Sequence, residues 1–177
     1  MMKRIFVVFA ICALCAGQVS GAKLAAGTRQ LTIDGHLDQR EEINLNLGAA
    51  AGYFVRDYIE VGVRGGLDME HGNDIMSVYC GGFTEYNIAL AGTDSIVPYL
   101  GTSLMIKYSS IDTDLINHSE AALEFGGDLG IRYFIQDNFA IGTAARIFFA
   151  TEDIYISDDG EFDAFDWDLI LSTSFYF

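Results

Sequence analysis

The pattern that predicts the fold is clear in residues 58–68, YIEVGVRGGLD, in which apolar and polar side chains alternate along the chain. Ile59 and Val61 belong to one face of this stretch, and Glu60 and Arg64 belong to the other. Because successive side chains of a β-strand point to opposite faces, a period of two predicts a strand with one apolar and one polar face. The strands of a water-soluble sandwich would also alternate, so the rest of the sequence must distinguish a soluble sandwich from a membrane barrel.

The same alternation recurs along the chain and predicts eight strands, at residues 28–37, 43–54, 58–68, 75–88, 97–108, 120–134, 138–149 and 165–177. Short turns are predicted at residues 55–57, 89–95 and 135–137, and longer polar connections at residues 38–42, 69–74, 109–119 and 150–164. Long strands with short turns at one end and longer loops at the other are typical of outer-membrane barrels. The predicted fold class is therefore all-β, an eight-stranded antiparallel up-and-down transmembrane barrel.

A second feature is the combination of an apolar composition with a strong negative charge. The 177 residues are 51% hydrophobic and 20% charged, with a net charge of −15 and a mean hydropathy of +0.26. Such acidity argues against a nucleic-acid partner, because phosphate binding needs a basic surface. No run of 18 apolar residues follows Ala22, so the sequence predicts no transmembrane helix beyond that point.

The first 22 residues have the pattern of a secretory signal peptide. Lys3 and Arg4 precede an apolar stretch at residues 5–17, and small residues at 20–22 predict cleavage before Lys23. The expected organisation is a signal peptide at residues 1–22 and a barrel domain at residues 23–177. Cleavage removes two basic residues and no acidic one, which changes the net charge from −15 to −17. Cys80 is then the only cysteine, so no intrachain disulfide is expected despite export.

The polar face of the strands predicts a cramped lumen, because glycines there lie between isolated charged residues. These charges are expected to form an ion-pair network of Glu60, Arg64, Glu85, Lys107, Glu124, Asp128, Arg132 and Arg146. The apolar face carries aromatic residues near both strand ends, as membrane interfaces favour. Two alternatives remain open at this point: a soluble eight-stranded carrier of lipocalin type, and a lumen that conducts ions rather than one filled by side chains.

Several segments together resemble a known class of proteins: LTIDGHL, LNLGAAAGYFVRDYIEVGVRGG, FTEYNIALAGTDSIVPYLGTSL, GGDLGIRYFIQDNFAIG and the terminal FYF. They resemble the small outer-membrane β-barrel superfamily (porin-like, OmpA/OmpX-type). The resemblance implies a monomer in the outer membrane, surrounded by lipid and lipopolysaccharide. Phe175 and Phe177 resemble the C-terminal signal that the barrel assembly machinery reads during insertion.

Two short stretches contain the residue types of a catalytic or a metal-binding site. His118, Ser119 and Glu120 are the residue types of a lipid-modifying barrel enzyme, but adjacent strand residues point to opposite faces, so no catalytic residue is predicted. The last long connection is acidic and could bind Ca²⁺ or Mg²⁺, although its spacing does not fit an EF-hand. The candidate ligands are Asp158, Asp159, Glu161 and Asp163. No cofactor is predicted.

The function predicted from these observations is that of a non-enzymatic outer-membrane barrel with a structural or surface-interaction role and a side-chain-filled lumen. The first alternative is a narrow channel for ions or a small solute. The second is a lipid-modifying outer-membrane enzyme.

Overall fold

A computed structural model describes residues 24–38, 44–70, 75–93, 95–113, 116–156 and 162–177 as a closed antiparallel barrel of eight strands. The barrel strands are Arg29–Asp38 (β1), Asn44–Arg56 (β2), Ile59–Glu70 (β3), Ile75–Asn87 (β4), Ile96–Thr113 (β5), Ile116–Gln136 (β6), Phe139–Ala150 (β7) and Phe165–Tyr176 (β10). A small hairpin, Tyr155–Ile156 (β8) and Phe162–Asp163 (β9), precedes the last strand. Each barrel strand pairs with its sequence neighbours, and β1 pairs with β10 to close the sheet. The predicted fold class is confirmed.

In the described part of the chain, the structure has no helix of the length and hydropathy needed to cross a membrane.

Two of the predicted connections are wrong in part. Residues 109–119 were expected to form a loop, but β5 and β6 pair through this region up to Thr113 and Ile116. Main-chain pairing does not require an alternation of polarity, so a hairpin that extends beyond the apolar band keeps its hydrogen bonds while its sequence becomes polar. The predicted connection at residues 150–164 likewise contains the hairpin formed by β8 and β9.

The outer surface of the barrel carries the apolar face that the sequence predicted. Leu129, Leu169 and Leu171 are 61%, 62% and 69% exposed, and Trp167 is 52% exposed. The alternate positions point inward and are buried, as the strict in-and-out pattern of β7 shows. Leucine side chains this exposed would be unfavourable in water, so the outer wall is suited to a hydrocarbon environment.

A repeated motif forms the same turn twice. The sequences of residues 53–57 and 133–137, YFVRD and YFIQD, each contain a β-bulge, at Phe54/Arg56 and at Phe134/Gln136. In both copies the phenylalanine is buried, with 0% exposure for Phe54 and 4% for Phe134. The extra residue of each bulge changes the strand direction just before the short turn. The motif therefore encodes both a turn and an inward aromatic side chain at this end of the barrel.

Candidate functional site

The candidate site is the interior of the barrel, where charged side chains from facing strands meet. Asp128 of β6 lies near the middle and accepts hydrogen bonds from two arginines of other strands. Arg64 Nη1 donates to Asp128 Oδ2 at 2.9 Å, and Arg146 Nε donates to Asp128 Oδ1 at 2.6 Å. All three side chains are 5% exposed or less. One buried carboxylate thus joins β3, β6 and β7 across the lumen.

The two arginines extend this contact into a chain of ion pairs. Arg64 Nη2 also donates to Glu85 Oε1 at 3.2 Å, and Glu85 Oε2 accepts from Arg132. At the other end, Arg146 Nη2 reaches Asp34 Oδ2 at 3.4 Å.

Arg132 in turn donates to Asn87 Oδ1 at 2.6 Å. We call the connected set the ion layer, with members Asp34, Arg64, Glu85, Asn87, Asp128, Arg132 and Arg146. Buried charges of alternating sign pair with one another here, which offsets much of the cost of removing them from water. Among the described residues, Asp34 Oδ1, Arg64 Nε and Asn87 Nδ2 are buried without a hydrogen-bond partner.

A second polar group lies nearer the long loops. Lys107 Nζ is 2.9 Å from Asp68 Oδ2, and Asp68 Oδ1 accepts from the Asn46 amide. Beside them, the Tyr155 hydroxyl donates to Glu124 Oε2 at 2.5 Å. Tyr155 belongs to the β8–β9 hairpin, which is not one of the barrel strands. Burial raises the pKa of the Tyr155 hydroxyl, so this group remains a hydrogen-bond donor. The loop side of the lumen is therefore covered by a side chain from the last connection.

Glu60 is the one predicted lumen residue whose contacts lie outside both groups. Its side chain is fully buried at the short-turn end. The Gln30 amide contacts it, in the orientation in which both the nitrogen and the oxygen of that amide have a partner. Gln30 Nε2 donates to Glu60 Oε2 at 2.8 Å, while Gln30 Oε1 accepts from Thr32. Glu85 is directly opposite Glu60 on β4. Glu60 is thus held by a neutral amide next to another acidic residue.

Each of the four basic residues predicted for the lumen also has its charge over an aromatic ring. The distances from the charge to the ring centroid are 4.0 Å for Arg132 and Tyr99 and 5.0 Å for Arg64 and Phe83. The other two pairs are Lys107 with Tyr155 at 4.8 Å and Arg146 with Phe148 at 6.0 Å. Such contacts are stronger where water is excluded. The rings fill space around the ion pairs and stabilise them at the same time.

Glycines provide the room for these large side chains. A Cβ at Gly52 would overlap the Glu60 carboxylate, and one at Gly130 would overlap the Tyr99 ring. A Cβ at Gly62 would overlap the Phe83 ring. The glycines of the polar face are therefore needed for close packing, which is the role that the sequence predicted.

Apolar clusters lie above and below the ion layer. The short-turn cluster consists of Leu24, Phe54, Val97, Phe134, Ala140 and Tyr176. The loop-end cluster consists of Tyr79, Met105, Phe148 and Tyr155, with Ala150 and Ile154 packed against it. Between them, a cavity lined by members of the ion layer amounts to about 10 Å³, near the minimum for one water molecule.

The eight predicted lumen residues all point into the barrel, but they do not form one set. Five of them belong to the ion layer, Lys107 and Glu124 lie beside Tyr155, and Glu60 bonds to Gln30. The prediction left out Asp34, Asp68, Asn87 and Tyr155. The first three lie on the polar face of their strands and could have been included on that ground. Tyr155 lies in a predicted loop, and no periodicity marks it.

The other candidate residues lie away from the lumen. Phe177 is 48% exposed, and its main chain exchanges hydrogen bonds of 3.0 and 2.8 Å with Arg29 where β10 meets β1. The Phe175 ring is 4.9 Å from that of Phe139. Cys80 is exposed on the outer wall. The predicted signal peptide at residues 1–22 lies outside the described residues.

The metal and enzyme candidates are described only in part. Asp158, Asp159 and Glu161 lie outside the described residues, while Asp163 is exposed and accepts a hydrogen bond from the Phe165 amide at 3.1 Å. Within the described ranges, no three His, Cys, Asp or Glu side chains are grouped as metal ligands would be. His118 and Ser119 occupy consecutive positions of β6, opposite Ile111 and Ser110.

Known structures share this architecture. The N-terminal β-barrel domain of Pseudomonas aeruginosa OprF is similar to this chain with a TM-score of 0.68 and 14% identity, over 86% of this chain and 98% of that one. Neisserial surface protein A (NspA) gives 0.57 and 15%, over 85% and 95%. Ail, the attachment invasion locus protein of Yersinia pestis, gives 0.52 and 11%, over 86% and 99%.

No protein-family model matches the sequence, and no curated protein sequence matches it. At identities this low the likeness concerns the fold alone. The chain has the fold of the small eight-stranded outer-membrane β-barrels, as the resemblance in its sequence predicted.

Proposed function

We propose that this protein is a non-enzymatic outer-membrane barrel with a closed lumen and a structural or surface-interaction role. The apolar outer wall supports the membrane location. Trp167 and Phe175 face outward on β10, eight positions apart. At about 3.4 Å per residue and a tilt of about 40°, they are separated by roughly 20 Å along the barrel axis, close to the ~25 Å apolar band of such barrels.

Export and assembly follow from the same proposal. The signal peptide at residues 1–22 directs the chain across the inner membrane, and cleavage before Lys23 leaves the barrel domain. The terminal Phe175 and Phe177 are then read by the barrel assembly machinery. The inserted protein is a monomer in contact with lipid and lipopolysaccharide. Its acidic long connections, including Asp158, Asp159, Glu161 and Asp163, face a surface where divalent cations are abundant.

The ion layer is the observation that carries the closed lumen. An eight-stranded barrel has an interior only wide enough for side chains, and here those side chains are bonded to one another across it. A permeating ion would have to separate Asp128 from Arg64 or Arg146, and each separation exposes an uncompensated buried charge. The apolar clusters at the two ends add further barriers.

A non-enzymatic role is supported by the same contacts. The charged groups of the ion layer are bonded to one another, Glu60 accepts from Gln30 and Glu124 accepts from Tyr155, and aromatic rings lie over the basic groups. General acid–base catalysis requires a group within hydrogen-bonding reach of a substrate. These groups instead form hydrogen bonds with other side chains across a narrow lumen.

A narrow channel is the second candidate, and the charged lining of the lumen is the observation that favours it. A lumen that only needed to be filled could be filled by apolar side chains alone, as in the two end clusters. Charges near the barrel axis would attract ions if the network could open. Single-channel conductance of the pure protein separates this candidate from the closed barrel.

Cell fractionation together with a permeability assay tests the main proposal. The full chain, expressed in its native host, should be found in the outer-membrane fraction and migrate faster in gels unboiled than boiled. Deletion of the gene should increase sensitivity to detergent and to large hydrophobic antibiotics, and the full chain should restore resistance. Recovery in the soluble periplasmic fraction would refute the membrane location. An unchanged envelope in the deletion strain would refute the structural role.

A further inference from the structure

We propose that residues 24–28 act as an N-terminal plug that closes the short-turn mouth of the barrel, as a second seal independent of the ion layer. Leu24 is the central residue of this plug. It precedes the first strand, yet its side chain is only 5% exposed. It belongs to the short-turn cluster, whose other members come from β2, β5, β6, β7 and β10. A residue in contact with a cluster from so many strands lies across the mouth rather than along one wall.

Main-chain hydrogen bonds hold the plug in place. The Tyr58 amide donates to the Leu24 carbonyl at 2.9 Å, and the Ala26 amide donates to Asp57 Oδ1 at 2.9 Å. The Gly27 amide donates to the Phe54 carbonyl at 2.8 Å. Residues 24–27 are therefore attached to the first short turn and to the bulge before it. The repeated YFVRD motif supplies two of these three attachment points, Phe54 and Asp57.

Gly27 allows the chain to turn back under the barrel. Its φ is +95°, a conformation that residues with a side chain rarely adopt. A Cβ at this position would meet no atom within 4 Å, so the requirement for glycine comes from the backbone and not from a lack of space. This bend directs Leu24 into the mouth instead of continuing the line of β1.

The plug is also the closure that can detach without unfolding the barrel. The ion layer is built on β1, β3, β4, β6 and β7, which are paired on both sides. The plug is a short segment outside the strands, held by one apolar side chain and a few main-chain bonds. Segments with few buried contacts open at lower free energy than the strands they cover. The lumen therefore has a fixed seal in the middle and a removable one at the short-turn end.

Cysteine labelling tests the plug. The parent for the experiment is the chain from Lys23 with Cys80→Ser, which removes its only native cysteine, and Ala140→Cys, which places a thiol in the short-turn cluster at a position that is 0% exposed. The folded protein in detergent is treated with a charged maleimide, and the labelling rate is measured. Leu24→Ser should increase this rate by about tenfold or more, because protection by a local contact is lost with that contact. Ala25→Ser, next to the plug residue, is the matched control and should label at the parent rate.

An equal labelling rate in the parent and in Leu24→Ser would overturn the proposal. If Leu24→Ser does not fold, as judged by gel mobility, Gly27→Val replaces it. This variant keeps the leucine but opposes the positive φ that directs it into the mouth. Conductance of Leu24→Ser in planar bilayers separates this proposal from the closed ion layer. A variant that labels quickly but does not conduct supports both seals, whereas one that labels quickly and conducts supports the plug and refutes the ion layer as a seal.

Discussion

Replacing Asp128 with asparagine tests the ion layer at its most connected residue. The carboxylate accepts one hydrogen bond from Arg64 at 2.9 Å and one from Arg146 at 2.6 Å, with a side chain only 1% exposed. Asparagine has nearly the same shape but carries no charge, and its amide nitrogen replaces one of the two acceptor oxygens, so that it faces the donor of one arginine. The substitution therefore removes the charge without creating a cavity.

The expected loss of unfolding free energy follows from the arginine charges that lose a partner. The ion pairs that remain are the 3.4 Å contact of Arg146 to Asp34 and the 3.2 Å contact of Arg64 to Glu85. Removing one partner from a buried ion pair costs about 3–5 kcal/mol, because the other charge remains buried without compensation. We expect the Asp128→Asn variant to lose about 3–5 kcal/mol of unfolding free energy. Asp153→Asn, at an exposed position, should change it by less than about 0.5 kcal/mol.

Urea titration of the protein folded into lipid vesicles measures this loss. Gel mobility of unboiled samples reports the folded fraction, and fluorescence of the only tryptophan, Trp167, gives an independent signal. The double variant Asp128→Asn, Arg146→Gln should be less destabilised than the sum of the two single variants, because the second change removes one of the stranded charges. Additive effects, or a loss below about 1 kcal/mol for Asp128→Asn, would refute the reasoning that the carboxylate binds both arginines in a dry lumen.

Three further predictions concern the packing of glycines in the lumen, the hydrogen bond of the Tyr155 hydroxyl and insertion of the barrel into the membrane. Gly52→Ala should cost about 1–3 kcal/mol in the same titration, because its Cβ would overlap a buried carboxylate, whereas Gly82→Ala, whose Cβ would lie 3.7 Å from its nearest neighbour, should be close to neutral. Equal stability of the two glycine variants would contradict the packing described for the lumen. Tyr155→Phe should cost about 1–3 kcal/mol by leaving the carboxylate beneath it without its donor, and Tyr108→Phe on the outer wall should cost less. Trp167 fluorescence should be quenched more by lipids brominated near the headgroup than by lipids brominated near the chain end, and no quenching by either would count against insertion.

The sequence was sufficient for the class of fold because barrel strands alternate in polarity and short turns differ from long loops. The period of two alone put Leu129 outside and Asp128 inside, and the structure has both there. It failed at the hairpin between β5 and β6, where the chain becomes polar while main-chain pairing continues to Thr113 and Ile116. Polarity reports the environment of a strand, whereas pairing depends on the backbone.

The partners within the lumen could not be predicted from the sequence. Arg64 bonds to Asp128, which is 64 residues away and on β6 rather than on a neighbouring strand. Such a contact depends on the tilt and register of the closed sheet, which no local pattern encodes. Tyr155 was missed for a similar reason, since only the path of the last connection brings it over Glu124. Asp34 differs from both, because its place on the polar face of β1 was readable.

Single-channel recording in planar lipid bilayers tests the closed lumen most directly. The folded full-length barrel is inserted, its insertion is verified by gel mobility of the same sample, and an open porin in the same lipid shows that channels would be detected. The ion layer and the two apolar clusters predict a current no greater than that of the bare bilayer. Reproducible conductance steps from the pure parent protein would contradict the closed lumen and would favour the narrow channel.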